Sequence, residues 1–264
     1  MSASSILECT DSTVDPHVRG FLHVPKTPNQ DGLVLTHGAG GNAQAPLLVA
    51  LADAFAAAGF TVLRCNLPYR QARPFGPPGP GDAARDRAGL KNAIAALKKI
   101  LAKKEDDKRD DQRGEKRNGG APLLADVARS GNAGPTSEEE PAARIFLGGH
   151  SYGGRQASIL CAEEPDLVAA LLLLSYPLHP PRKPEQQRTQ HLPDLRTPIL
   201  FVQGTRDPFG SIEELQRAIK MIPANTKLLP VEGAGHDLGF KGKGKKEELP
   251  KQIVSEFTAF FAAP

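Results

Sequence analysis

Residues 144–163 read Arg-Ile-Phe-Leu-Gly-Gly-His-Ser-Tyr-Gly-Gly-Arg-Gln-Ala-Ser-Ile-Leu-Cys-Ala-Glu, and the reading of the whole chain turns on them. The short apolar run Ile145-Phe146-Leu147 has the character of a buried strand, and 151–163 has that of a helix. Between them lies Gly149-His150-Ser151-Tyr152-Gly153, a G-x-S-x-G pattern. Small residues on both sides of Ser151 permit a tight strand-to-helix turn that pushes its hydroxyl into the open. The start of the helix adds free N–H groups and the positive end of the helix dipole where an oxyanion would develop. Ser151 is therefore a candidate nucleophile, and the N–H of Tyr152 a candidate oxyanion donor. Taken alone, the pattern is equally a glycine-rich turn with a capping serine; the strand–turn–helix context favours the chemical reading.

The same rhythm extends in both directions. Strands are expected at 18–24, 33–36, 60–65, 144–147, 168–174, 198–202 and 227–231, with helices at 45–58, 82–102, 151–163, 212–221 and 247–260. Continuous apolar strands alternating with helices make an α/β class with a mostly parallel sheet covered on both faces. Two stretches break the rhythm. Residues 67–81 are rich in Pro and Gly and read as a connection, whose Arg70, Arg73 and Phe75 either wall a pocket or are simply solvated. Residues 103–143 are dense in charges of both signs, then in Gly, Pro and Ser, without a sustained apolar period. They read as a disordered, charged insertion in a single domain spanning 1–264, tolerated between a helix and a strand.

Two further motifs converge with the first. His37-Gly38-Ala39-Gly40-Gly41-Asn42 directly follows the strand ending at Thr36, and its glycines let backbone N–H groups approach a ligand closely. Ala39 is the candidate second oxyanion donor. Neither phosphate-loop pattern, G-x-x-x-x-G-K-[ST] or G-x-G-x-x-G, is present here. Asp207 and His236 each lie just past the end of an expected strand, in Gly204-Thr205-Arg206-Asp207-Pro208-Phe209 and Gly233-Ala234-Gly235-His236-Asp237. Ligands bind at that edge in open α/β sheets. Ser, then Asp, then His is one of the chain orders in which a nucleophile, an orienting acid and a base occur. In that arrangement Ser151 attacks, His236 takes its proton and Asp207 fixes the imidazole tautomer.

Composition bounds the partners. Against 30 acidic residues stand 33 basic ones, a net charge of +3, which gives no basic footprint for nucleic acid. Three Tyr and no Trp leave few stacking platforms for single strands. The longest wholly apolar run, 167–174, is too short for a membrane span, and the first residues show no basic and apolar leader, so a cytoplasmic protein without membrane partners is expected. Cys9, Cys65 and Cys161 are odd in number and widely spaced and read as free thiols; no His or Cys spacing suggests a metal, and no cofactor is expected.

The blocks VLTHGAGGN (34–42), GGHSYGGRQAS (148–158), LFVQGTRDPFG (200–210) and GAGHDL (233–238) resemble the α/β-hydrolase superfamily. Within it they resemble the hydrolase-like family of testis-expressed protein thirty and the third subunit of the NSL histone acetyltransferase complex. More distantly they are similar to dienelactone-hydrolase-type esterases. The resemblance implies an eight-stranded, mostly parallel sheet and assigns nucleophile, acid and base to Ser151, Asp207 and His236. Residues 175–195, where many such proteins carry a cap, are too short and proline-rich for a helical one, so no large cap domain is expected. The function expected is a serine hydrolase acting on a carboxylic ester or related acyl bond of a small molecule. The alternative is a hydrolase-like scaffold for protein interaction.

Overall fold

Four strands carry the apolar runs that drive the fold: β3 (Gly32–Thr36), β5 (Ile145–His150), β6 (Ala170–Leu174) and β7 (Ile199–Gly204). Nearly every residue in them is buried, as strands covered on both faces must be. The computed structural model describes residues 4–118, 143–240 and 248–262. The other strands are β1 (Ser4–Asp11), β2 (Val18–Pro25), β4 (Thr61–Cys65) and β8 (Thr226–Val231). The helices are α1 (Pro46–Ala57), α2 (Pro68–Ala72), α3 (Asp82–Asn118), α4 (Tyr152–Glu163), α5 (Ile212–Ile219) and α6 (Glu248–Ala262).

The eight strands form one sheet in the order β1-β2-β4-β3-β5-β6-β7-β8. Only β2 runs against its neighbours; β4, β3, β5, β6, β7 and β8 pair in parallel. The strand that leads to Ser151 is thus central, as its uninterrupted burial requires. One hydrophobic cluster, built from α3, α4 and α5, covers one face; a second, built from α1 and α6, covers the other. At the start of β5, Arg144 makes a two-pronged pair with Asp31, from Nε to Oδ1 at 3.0 Å and from Nη2 to Oδ2 at 2.7 Å. This fastens β5 to β3 at the amino edge, the edge away from Ser151. No helix among the described residues is long and apolar enough to cross a membrane.

Three elements differ from expectation. Strand β1 has no counterpart in the sequence reading, because its face is largely exposed (Ile6 49%, Leu7 53%) and lacks the alternation of a half-buried strand. Within the supposed connection 67–81, Pro68–Ala72 forms a short helix with proline at its first position, where the missing N–H costs nothing. Helix α3 continues past the expected end at Ala102 to Asn118, since its Lys, Arg, Glu and Gln residues are good helix formers even without an apolar stripe. The rest of the charged stretch, 119–142, lies outside the described residues.

The second cluster is held by aromatic edges. Phe257 of α6 meets Phe55 of α1 and Phe146 of β5 in near-perpendicular contacts, with ring centroids 5.3 and 5.1 Å apart. It is 1% exposed. Phe257→Ala should lower the unfolding free energy by about 3–5 kcal/mol in urea titration at neutral pH. A loss below about 1 kcal/mol would mean that α6 does not close the core.

Candidate active site

Ser151 occupies the turn between β5 and α4 with φ 51° and ψ −117°, a region that non-glycine residues rarely adopt. Its N–H donates to the carbonyl of Leu174 at the end of β6 (2.8 Å), and its carbonyl accepts from Arg155 one turn later (2.9 Å). The strained residue is thus pinned on both sides. Gly153 makes the turn possible in a second way: a Cβ there would stand 2.5 Å from the carbonyl oxygen of His37. Only glycine lets the first turn of α4 close against the loop after β3.

Asp207 and His236 arrive on two loops that follow β7 and β8 and are fastened to one another. Arg206 N–H donates to Ala234 O (2.9 Å) and Thr205 N–H to Val231 O (3.1 Å). A Cβ on Gly204 would lie 2.4 Å from Ala234 O, so close apposition of the two loops requires glycine at that position. The result is a chain of contacts at the carboxyl edge of the sheet. His236 Nε2 lies 2.8 Å from Ser151 Oγ, and His236 Nδ1 lies 2.8 Å from Asp207 Oδ2 and 3.0 Å from Oδ1. The Asp207 carboxyl is wholly buried, while the imidazole is 23% exposed. Phe209 N–H also donates to Asp207 Oδ1 (2.9 Å), and the Phe209 ring lies 4.1 Å from the imidazole at 32°. A carboxylate at Nδ1 keeps the proton on that nitrogen, which leaves Nε2 free to accept from the serine hydroxyl.

The two other histidines of the motifs are framework. His150 Nε2–H donates to the backbone carbonyl of His236 (2.8 Å), fixing the chain that carries the imidazole. His37 accepts from Leu67 N–H at Nε2 (3.1 Å) and donates from Nδ1 to Gly38 O (2.9 Å). Burial drives both imidazoles down to about 4, so they remain neutral.

A support for the 37–42 loop comes from the region read as a connection. Tyr69 Oη donates to Ala39 O (2.8 Å). Arg70 donates from Nε to Gly41 O (2.8 Å) and from Nη2 to Ala39 O (3.0 Å) and Gly76 O (2.9 Å). Arg70 is buried and spent on carbonyls, so it is not simply solvated; with Phe75 it lines a small cavity beside Ala39 and Gly40. Arg73 pairs with Asp82, and Phe75 is 85% exposed. Asp86, buried in α3, accepts from Tyr69 N–H (3.0 Å) and from the Tyr152 hydroxyl (2.7 Å). Burial lifts its carboxyl above the usual carboxylate range. Asp86 thereby joins the two segments that carry the candidate oxyanion donors, Ala39 and Tyr152. No motif announces this; the only signal is an acidic residue at a helical position whose neighbours Leu90 and Ala93 are core.

Ala39, Tyr152, Ser151 and His236 all line one cavity of about 940 Å³. As the first residue of α4, Tyr152 has an N–H without an acceptor inside the helix. The cavity receives Leu47, Leu48 and Phe240 from the α1 and α6 side of the sheet. Arg155 of α4 and Arg188 line it from the other side.

A family model described as an alpha/beta hydrolase domain matches residues 106–262, more than half of the chain. The chain belongs to the alpha/beta hydrolase family. The alpha/beta hydrolase fold is also what solved structures share with it over nearly their whole length. A dienelactone hydrolase from Anabaena variabilis superposes with a TM-score of 0.64 at 18% identity, covering 97% of this chain and 98% of that one. An alpha-beta serine hydrolase homologue from Coxiella burnetii gives 0.65 at 15%, covering 95% and 96%. Est1E from Butyrivibrio proteoclasticus gives 0.58 at 16%, covering all of both chains. At these identities the likeness establishes this hydrolase's fold; its chemistry has to be argued from its own residues.

Proposed function

We propose that the protein is a serine hydrolase that cleaves a carboxylic ester or related acyl bond of a small molecule, and that its narrower kin are the testis-expressed protein thirty type. The observation that carries this reading is the pair of 2.8 Å contacts by which His236 links Ser151 Oγ to the buried Asp207 carboxyl at the wall of a cavity. A scaffold has no physical need for a strained serine beside an oriented imidazole.

The steps follow from the geometry. A bound carbonyl carbon is attacked by Ser151 Oγ as its proton passes to His236 Nε2. The carbonyl oxygen becomes an oxyanion that accepts from the N–H groups of Ala39 and Tyr152. Asp207 holds the imidazolium formed in that step. Collapse of the tetrahedral species breaks the bond to the leaving alcohol, which takes the proton from Nε2 and departs. Water then repeats the sequence on the acyl-serine, returning the acid and free Ser151. Hydrolysis of a panel of p-nitrophenyl esters, with Ser151→Ala as control, tests the reading. Turnover should fall by at least about a thousandfold in the variant; equal turnover by wild type and variant would refute it.

A further inference from the structure

The proposed reaction uses Ser151, His236, Asp207 and two backbone N–H groups, and leaves two arginines on the cavity wall unexplained. Arg155 stands one helical turn beyond Ser151, and its Nε is buried without a hydrogen-bond partner. That Nε is closed off from the cavity, so an acceptor placed in the cavity reaches Arg155 through its terminal guanidinium nitrogens. Arg188 lines the same cavity, and its guanidinium makes a 3.4 Å contact from Nη1 to Pro177 O. Among the described residues no carboxylate pairs with either arginine. The one acidic side chain on the cavity wall among the described residues is Asp237, which accepts from Gly239 N–H (3.2 Å) on the His236 loop. Burial first and the neighbouring charge of Arg155 second hold Arg188 below the usual arginine range. Two like charges brought together in a half-buried wall without a counter-ion are costly, and an anion supplied by the ligand relieves that cost.

We propose that the cavity takes an ester bearing a carboxylate, with that group between Arg155 and Arg188 and the apolar remainder against Leu47, Leu48 and Phe240. The proposal deepens the serine-hydrolase reading and rests on it for turnover, although the anion site is testable without catalysis. Guanidinium groups match a carboxylate through paired N–H donors, and such charge-assisted bonds are about twice as strong as neutral ones. The apolar and cationic walls come from opposite faces of the sheet, so the substrate spans the carboxyl edge with Ser151 beneath its middle.

The test is a ratio measured within one protein, so that any partial loss of folded enzyme cancels. Values of kcat/KM are compared for p-nitrophenyl hemiadipate against p-nitrophenyl hexanoate, where the carboxylate sits on the acyl part. The second pair is 4-acetoxybenzoate against phenyl acetate, each corrected for its alkaline hydrolysis rate, where the carboxylate sits on the leaving group. At least one pair should favour the anion by about tenfold or more, and the preferred pair locates the carboxylate. Arg155→Gln and Arg188→Gln should each lower that ratio by about tenfold. Ratios at or below one in the wild type, or unmoved in both variants, overturn the proposal. If no ester is turned over, the serine-hydrolase reading falls, and binding of hexanoate against hexanamide to the Ser151→Ala protein decides the anion site alone. Tighter hexanoate binding that is lost on adding Arg188→Gln upholds the site; equal binding of the two ligands overturns it.

Discussion

Asp207→Asn should lower kcat for any ester substrate by about 10⁴-fold while leaving the fold and the unfolding midpoint nearly unchanged. The carboxyl is fully buried and receives both the His236 Nδ1–H and the Phe209 N–H. An asparagine of the same shape keeps one acceptor, which the Phe209 N–H can still use. Its amide can instead turn NH₂ toward Nδ1, and that nitrogen must then be the acceptor. The imidazole proton moves to Nε2, which faces Ser151 Oγ at 2.8 Å, and two donors confront one another where a base is needed. Stopped-flow or steady-state ester hydrolysis checks this, with circular dichroism to show that the variant is folded. A loss of less than about tenfold would mean that Asp207 does not set the tautomer.

Stability should fall steeply in mild acid, and the sign follows from three imidazoles that desolvation in the fold holds neutral. His37, His150 and His191 are each held down to about 4 by burial. In the unfolded chain they return to 6.5, so all three are neutral in both states above that pH and full stability is present there. Between pH 6.5 and 4 the unfolded chain takes up protons that the folded protein refuses, so stability is lost as pH falls. One excess proton changes the unfolding free energy by about 1.4 kcal/mol per pH unit, and near pH 5 the three together give roughly 3–4 kcal/mol per unit. His23, lowered by burial and by Arg64, acts in the same direction. Asp86, raised by burial, opposes the trend at the acid end of the window. Urea titrations at half-unit steps measure the slope. A flat unfolding free energy from pH 6.5 to 5 would show that these imidazoles are not held neutral.

The legible part of the molecule was the part in which physics acts on short stretches. Buried parallel strands must be apolar throughout, so β3 to β7 could be read from their own residues, and their rhythm implied the layered α/β class. The turn at Ser151 was legible because few residues tolerate its backbone and glycines must flank it. Strand β1 was not, because an edge strand with one partner needs no apolar face, and its existence entered through family resemblance to an eight-stranded sheet. The short helix at Pro68–Ala72 was hidden because the same proline that starts it also marks loops. Least legible were contacts between distant segments. Nothing local tells that Arg70 donates to Ala39 and Gly41, that Asp86 meets Tyr152, or that His150 holds the His236 carbonyl. The role of His150 depends on a partner 86 residues away.

Covalent capture by a fluorophosphonate, read by intact mass and peptide mapping, tests whether Ser151 is a nucleophile activated by His236 and Asp207. Attack by an activated serine displaces fluoride and leaves one phosphonyl group per chain, with no need to know the natural substrate. The expected result is a single adduct on Ser151, absent in Ser151→Ala and slowed by orders of magnitude in Asp207→Asn. No adduct on folded wild-type protein, or an adduct that persists in Ser151→Ala, would contradict it.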